Sequence, residues 1–306
     1  MKTKYPDFLV LLVLLVCFHL GSARAQTNDS APDNYAFMVA GDMRSFTGPA
    51  PAGKRYFDGV CEAIKAAGSG SFLLSPGDCD PPTPIRAVID RSLGSNYLWY
   101  PVVGNHDADT VKDMDWFHHW AQGGIPHLAG RGPANAEFTT FSIDFGNSHL
   151  VVLDEYYDGK TDNIGNGDVC NATLAWLDQD LAATHQPLIW VTGHKPIKSF
   201  PDMDTGRVRH GTDTVTDNPE HHRRFMELLK KYHVRAYICG HTHNTSINKV
   251  EDIWQLDSGH ARGAGDPGAP STFLKVRVSG SQTWVDIYRG DTNGVQYHVA
   301  RTVDLN

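Results

Sequence analysis

The sequence runs to 306 residues with a formal charge of −8 and an ordinary globular composition, 41% hydrophobic and 20% charged. That is enough chain for one large α/β domain or two small ones with a full core, and it excludes a low-complexity or disordered protein. The acidic balance argues against holding nucleic acid by bulk charge, while leaving open a phosphate-bearing substrate at a site where bound metals reverse the local sign.

The first residues read as an export leader. Lys2 and Lys4 precede the apolar run Phe8 to Leu20, and Ala23-Arg24-Ala25 has the small-x-small pattern read by a signal peptidase. Residues 1–25 are therefore expected to be a signal peptide. The mature chain would begin near Gln26, in a secreted or periplasmic setting. The apolar run is short for a membrane span of ~20 residues, so no stable membrane anchor is expected. Removal of the leader moves the charge to −10, with 24 basic against 34 acidic residues. Cys61, Cys79, Cys170 and Cys239 remain. Export would permit disulfides among them in any pairing, and the lack of a Cys-x-x-Cys spacing leaves a structural zinc knuckle unsupported.

Residues 26–34 are small and polar and read as a flexible lead-in to a single domain, 35–306. Tyr35 to Ala40 is an apolar strand ending in Gly41-Asp42. A glycine- and proline-rich loop follows, then a helix from about Lys54 to Ala67 with Phe57, Val60, Ile64 and Ala67 on one face. Ser71 to Ser75 is a strand ending in Pro76-Gly77-Asp78. A helix from about Thr83 to Leu93 leads to the strand Leu98 to Val103, which ends in Gly104-Asn105-His106-Asp107. Three strand–loop–helix units in succession predict parallel strands with right-handed crossovers. Each delivers acidic or metal-binding residues at its C-terminal end, where open α/β sheets place ligands.

Residues 110–121 look helical, with Trp116, Phe117 and Trp120 among a packed aromatic face. His118 and His119 point about 100° apart as helical neighbours, which suits surface or core filling better than shared ligation. Phe138 to Phe145 and His149 to Leu153 flank Gly146-Asn147-Ser148 as a hairpin. A helix carrying Leu174, Leu177 and Leu181 precedes the strand Leu188 to Thr192, which ends in Gly193-His194. An Asn218-Pro219-Glu220 start opens the next helix, to about Tyr232. The strand Val234 to Ile238 then runs into Cys239-Gly240-His241-Thr242-His243. Beyond residue 245 the pattern alternates, in segments predicting antiparallel strands around 245–250, 253–256, 272–278, 283–288 and 296–303.

Strand ends thus gather Asp42, Asp78, Asn105, His106, His194, His241 and His243, most of them directly after a glycine. With no Cβ in the way, the backbone can turn sharply and pass close to a bound ion. Carboxylate, amide oxygen and imidazole form a mixed donor set suited to Mn, Fe or Zn rather than calcium.

On Gly41-Asp42, Gly77-Asp78, Gly104-Asn105-His106-Asp107, Gly193-His194 and Gly240-His241-Thr242-His243, the chain resembles the calcineurin-like metallophosphoesterase superfamily over roughly residues 35–260. The resemblance implies a four-layer α/β/β/α sandwich and two divalent or trivalent metal ions. Asp78 would bridge the ions, with Asp42 and His243 on the first and Asn105, His194 and His241 on the second. It implies hydrolysis of a small phosphate-ester substrate by a metal-bound hydroxide, with His106 assisting the leaving oxygen and Asp107 orienting its ring. A phosphodiesterase or nucleotidase of the same superfamily fits the same motifs, as does an impaired homologue that only binds metal or phosphate.

The first motif departs from the superfamily pattern. It reads Asp42-Met43-Arg44, where a histidine is usual in the third place, and Pro81 stands where a tyrosine would compensate. Arginine stays protonated and cannot ligate. Three arrangements are open to Arg44. It could bind the substrate phosphate while water or Asp80 completes the first site. The first site could be weak or empty. Or Arg44 could turn away into a structural ion pair. Elsewhere, Cys79 and Cys239 read as buried small residues or disulfide partners, Lys198, Arg207, Arg209 and His210 as a solvated loop, and Tyr156 and Tyr157 as rim packing. Asn28, Asn171 and Asn244 open glycosylation patterns, and His260 is either near the site or simply exposed.

Overall fold

The computed structural model describes residues 33–162, 166–215 and 218–306. These lie within one compact unit, Ala31–Asn306. The leader, the start near Gln26, the lead-in before residue 33 and the Asn28 glycosylation pattern lie outside the described residues. Among those residues no helix is long and apolar enough to cross a membrane.

The chain opens as alternating strands and helices: β1 (Asn34–Val39), α1 (Phe57–Ala66), β2 (Phe72–Ser75), α2 (Pro82–Leu93) and β3 (Leu98–Pro101). The one-turn α3 (Asn105–Ala108) and α4 (Val111–Gln122) follow. β4 (Leu128–Arg131), β5 (Phe141–Phe145) and β6 (Ser148–Val152) then form a meander, before α5 (Asn171–Ala183), β7 (Leu188–Thr192), α6 (Pro219–Lys231) and β8 (Ala236–Cys239). The C-terminal part is all strand: β9 (Thr245–Val250), β10 (Ile253–Ser258), β11 (Thr272–Ser279), β12 (Gln282–Gly290) and β13 (Tyr297–Asp304).

Two sheets result. One has the order β13-β12-β11-β1-β2-β3, with β1, β2 and β3 parallel and β11 antiparallel to β1. The other has the order β4-β5-β6-β7-β8-β10-β9, with β6, β7, β8 and β10 parallel. Their facing sides share a core in which Phe37 and Phe72 stack at 4.9 Å and Trp190, from the other sheet, meets Phe37 edge-on at 5.6 Å. On the outer face of the first sheet, Met38, Leu73 and Trp99 pack against Phe57, Val60, Ile85, Val88 and Phe117 of α1, α2 and α4. On the outer face of the second, Val151 and Val191 pack against Leu174, Leu177, Phe225 and Leu229 of α5 and α6. The layers are therefore α/β/β/α.

Two departures from the sequence pattern have local causes. β4 is absent from the expected elements because Leu-Ala-Gly-Arg has no β-branched residue; its pairing with β5 makes it a strand. The expected antiparallel pair around 245–256 forms, but the returning strand β10 pairs parallel with β8 and leaves β9 at the edge. The end of β10 is thereby delivered beside the His241 loop.

His149 ties β6 to α5. Its Nδ1 lies 2.7 Å from Asp144 Oδ1 and its Nε2 2.9 Å from Asp180 Oδ2, with the side chain buried. Burial alone would push the ring down, but the two carboxylates outweigh it and hold the imidazole above its ordinary value of 6.5. A group raised in the folded state contributes stability that is complete below the unfolded pKa and lost as pH rises through the folded one. Thermal melts are therefore expected to show wild type ahead of His149→Asn by more at about pH 5.5 than at about pH 9. A gap that is constant or widens with pH would remove the charge from this account.

Candidate active site

The C-terminal ends of five strands converge. β1, β2 and β3 lead to Asp42, Asp78 and Asn105, and from the other sheet β7 and β8 lead to His194, His241 and His243. Asp42, Asp78, His241 and His243 all have φ between 54° and 69°, in the left-handed region that non-glycine residues seldom enter. Such strain persists only where surrounding structure enforces it, and its clustering here marks a functional position. Two glycines make the close approach possible. A Cβ at Gly77 (φ 88°) would collide with His194 Nδ1, and one at Gly240 with Asp42 Oδ2.

One group of donors converges with its lone pairs inward. His194 Nδ1 lies 2.8 Å from the Pro76 carbonyl, a contact that needs N–H at Nδ1 and leaves the Nε2 lone pair free. His241 Nε2 lies 2.8 Å from Asp213 Oδ2, so the proton sits there and the Nδ1 lone pair is free. Those two lone pairs face each other at 3.2 Å. Asn105 Oδ1 stands 3.1 Å from His194 Nε2 and 3.2 Å from His241 Nδ1, and Asp78 Oδ1 stands 3.4 Å from His194 Nε2. No proton lies between the two imidazole nitrogens and the carboxylate oxygen, whose other contact is the His106 backbone N–H at 3.1 Å, and a cation among them would satisfy all three. Burial pushes His241 down to about 4, against the pull of Asp213, so its imidazole is the neutral ligand form at ordinary pH. Asp42, Asp78 and His194 also bring donor atoms within 4.8 Å of one another. The buried Asp42 Oδ1 has no hydrogen-bond partner, while its Oδ2 accepts from the His241 backbone N–H at 2.9 Å. Burial, then the charge of Asp78, raises the Asp42 carboxyl well above its usual range, and a cation nearby would relieve this.

The other expected group is different. His243 Nε2 lies 3.4 Å from Asp42 Oδ1 but 3.0 Å from Arg262 Nη2. Its Nδ1 lies 2.6 Å from Arg209 Nη1 and 3.1 Å from Asp266 Oδ2. Burial pushes this ring down to about 2, with Asp266 opposing and Arg262 and Arg209 adding to the effect, so it is neutral and has one lone pair. Arg207 completes the surround, reaching Asp266 Oδ1 at 3.0 Å and the His243 carbonyl at 2.7 Å. The residues fit an ion at Asp78, Asn105, His194 and His241. Around His243 they do not.

His106 is part-exposed beside the donor cluster, its Nε2 3.9 Å from Asp78 Oδ2. The carboxylate at its ring is Asp109, whose Oδ2 is 3.3 Å from Nδ1, and not Asp107. Asp107 is fully buried and accepts from the backbone N–H groups of Gly104 at 2.8 Å and Cys79 at 3.2 Å, clamping the two loops together. Of the three arrangements open to Arg44, the structure has the ion pair: Nε lies 3.2 Å from Asp80 Oδ2, with the arginine side chain one-third exposed. Asp80 is thus turned to Arg44.

Several residues the sequence reading set aside belong here. Arg207 and Arg209 contact the site instead of lying in a solvated loop, and the His210 ring is 4.5 Å from that of His241. Arg262, Asp213 and Asp266 carry no motif. His260 is fully buried, 5.9 Å ring to ring from His243. Tyr156 and Tyr157 are interior, not rim; the Tyr156 ring lies 6.3 Å from that of His194. All four cysteines are buried and unbridged.

A family model described as calcineurin-like phosphoesterase matches residues 17–245. Among curated proteins, the chain is similar to tartrate-resistant acid phosphatase type 5 from Oryctolagus cuniculus, 29% identical over 176 residues that cover 53% of this chain and 48% of that protein. It is similar to the Homo sapiens protein of the same description, 27% identical over 213 residues, 63% of this chain and 61% of that one. The chain spans about half the length of the curated relatives it matches. Among solved structures it is similar to PhoD, with a TM-score of 0.59 at 12% identity over 89% of this chain and 70% of that one. A Plasmodium protein described as GAP50, the anchor in the inner membrane complex, gives a TM-score of 0.56 at 14% identity over 89% of both chains. At those identities the solved structures share the fold alone.

Proposed function

The chain belongs to the calcineurin-like phosphoesterase family, and from that premise we propose that it hydrolyses a small phosphate monoester with a divalent or trivalent ion held by Asp78, Asn105, His194 and His241. The observation that carries this reading is the convergence of His194 Nε2, His241 Nδ1, Asn105 Oδ1 and Asp78 Oδ1 within 3.1–3.4 Å contacts, with both imidazole tautomers fixed from outside by Pro76 and Asp213. Such an ion would supply Lewis acidity to the phosphoryl oxygens and to the attacking water. The chain supplies the rest. Asn105, half-buried and neutral, holds its amide oxygen on the ion side without adding charge. Arg44 is engaged at Nε by Asp80, and in this reading its remaining N–H groups are the ones offered to a substrate phosphate, where a planar fork suits two oxygens. His106, with Asp109 3.3 Å from Nδ1, would offer an Nε2–H to the leaving oxygen in its protonated form, where both ring nitrogens donate.

The curated relatives carry the name acid phosphatase, which favours a monoester over a diester or nucleotide substrate. Export of the mature chain from about Gln26 is part of the same proposal, supported by the leader pattern at Lys2, Lys4, Phe8 to Leu20 and Ala23-Arg24-Ala25.

The test is an assay of purified mature protein on para-nitrophenyl phosphate beside bis(para-nitrophenyl) phosphate, stripped with chelator and reloaded with Mn, Zn, Fe or Mg. The expected result is turnover restored by metal and faster on the monoester. Preference for the bis-ester would move the reading to a phosphodiesterase. Ion binding with no turnover on either would leave a binding protein.

A further inference from the structure

We propose that this site is built for one metal ion, and that the Arg262 guanidinium is the fixed cation at the place where the family resemblance implies a second. The inference rests on the reading of Asp78, Asn105, His194 and His241 as an ion site, and goes beyond it in assigning the neighbouring position.

The argument begins with His243. A neutral imidazole has one lone pair. If Nδ1 carries the proton toward Asp266, the Nε2 lone pair accepts from Arg262 Nη2 at 3.0 Å. If Nε2 carries it, the Nδ1 lone pair accepts from Arg209 Nη1 at 2.6 Å. In either tautomer an arginine takes the electrons that a metal would need. Asp42 is then the remaining protein ligand on that side, beside Asp78. The third place of its motif is Arg44, which cannot ligate.

Arg262 is also held, not merely nearby. Its Nε donates to the Asp42 carbonyl at 2.7 Å, and its guanidinium carbon lies 5.4 Å over the Phe46 ring. Phe46 is in turn fixed edge-on to Tyr56 at 5.1 Å, and Gly265 passes so close to it that a Cβ there would collide with the ring. The loop bearing Arg262 is tied to the loop bearing Asp42, the Ala261 N–H donating to the Gly41 carbonyl at 2.9 Å. A guanidinium fixed between His243 Nε2 and the Asp42 backbone carbonyl puts a permanent positive charge at that place. It also repels a second metal cation brought to the same place. Unlike an ion, it cannot be lost to a chelator.

The experiment counts ions. Chelator-stripped full chain is reloaded with Mn2+, desalted and measured by inductively coupled plasma mass spectrometry, with electron paramagnetic resonance on the same samples. One Mn2+ per chain with the spectrum of an isolated ion is expected for wild type. Arg209→Ala/Arg262→Ala combined with Arg44→His frees His243 and restores the absent ligand. It is expected to hold two ions per chain and to give the spectrum of a coupled pair. Two ions in wild type, or a coupled spectrum there, overturns the inference while leaving the proposed function intact. No bound ion in wild type overturns both. A triple variant that folds, by circular dichroism, and still holds one ion overturns the role given to the arginines. Should the variant not fold, the wild-type count and spectrum decide.

Discussion

Asn105→Ala is expected to lose both the bound ion and the activity, with kcat/KM falling by about a thousandfold or more. Asn105 Oδ1 is one of four converging donors, at 3.1 Å and 3.2 Å from the two imidazole nitrogens. An ion that polarises a phosphoryl oxygen is worth several kcal/mol in the transition state, and about 4 kcal/mol corresponds to that factor. The side chain is only half-buried, so its truncation leaves the sheets undisturbed, and a folded protein without metal is the specific expectation. Asp213→Asn should do less, about ten- to a hundredfold, because Asp213 acts through His241 Nε2 and does not touch the ion. Metal content and kcat/KM measured on both variants check the order. An Asn105→Ala protein with wild-type metal and rate would remove the whole cluster from catalysis.

His106→Ala should keep its metal and lose kcat, by roughly a hundred- to ten-thousandfold on substrates with poor leaving groups. The ring lies to the side of the donor cluster, 3.9 Å from Asp78 Oδ2, and supplies none of its inward lone pairs. What it can offer is an N–H to the departing oxygen. An alkoxide needs that help and a nitrophenolate hardly does, so the defect should be large on an alkyl phosphate and small on para-nitrophenyl phosphate. Asp109→Asn should show the same dependence, weakened, because it positions the ring from Nδ1. An equal loss on both substrates would assign His106 to binding or folding.

The sequence carried the scaffold of this site well, because each donor sits at a strand end where an apolar run meets a glycine. Asp42, Asp78, Asn105, His194, His241 and His243 could be placed together from local pattern alone. The resemblance implies Asp107 as the partner of the His106 ring, but α3 turns consecutive side chains about 100° apart and brings Asp109, three residues on from His106, to the same face. That spacing was available in the chain. Arg262 and Asp266 were not legible in this way. They lie in a glycine- and proline-rich loop with no period, and only the insertion of β10 beside β8 brings that loop to His243. Arg207 and Arg209 were hidden for a related reason: a polar loop folded over a buried charge looks, residue by residue, like one facing water. Tyr156 and Tyr157 follow a strand end and looked like rim residues, yet the chain there dives under the site.

The donors for the single ion come from both sheets: Asp78 and Asn105 follow β2 and β3, and His194 and His241 follow β7 and β8. An ion held by that set would be a rivet through the seam of the sandwich. Its binding energy adds to cohesion between the sheets, so the metal-free chain should open first along that seam, and the fold and the chemistry share one fastening.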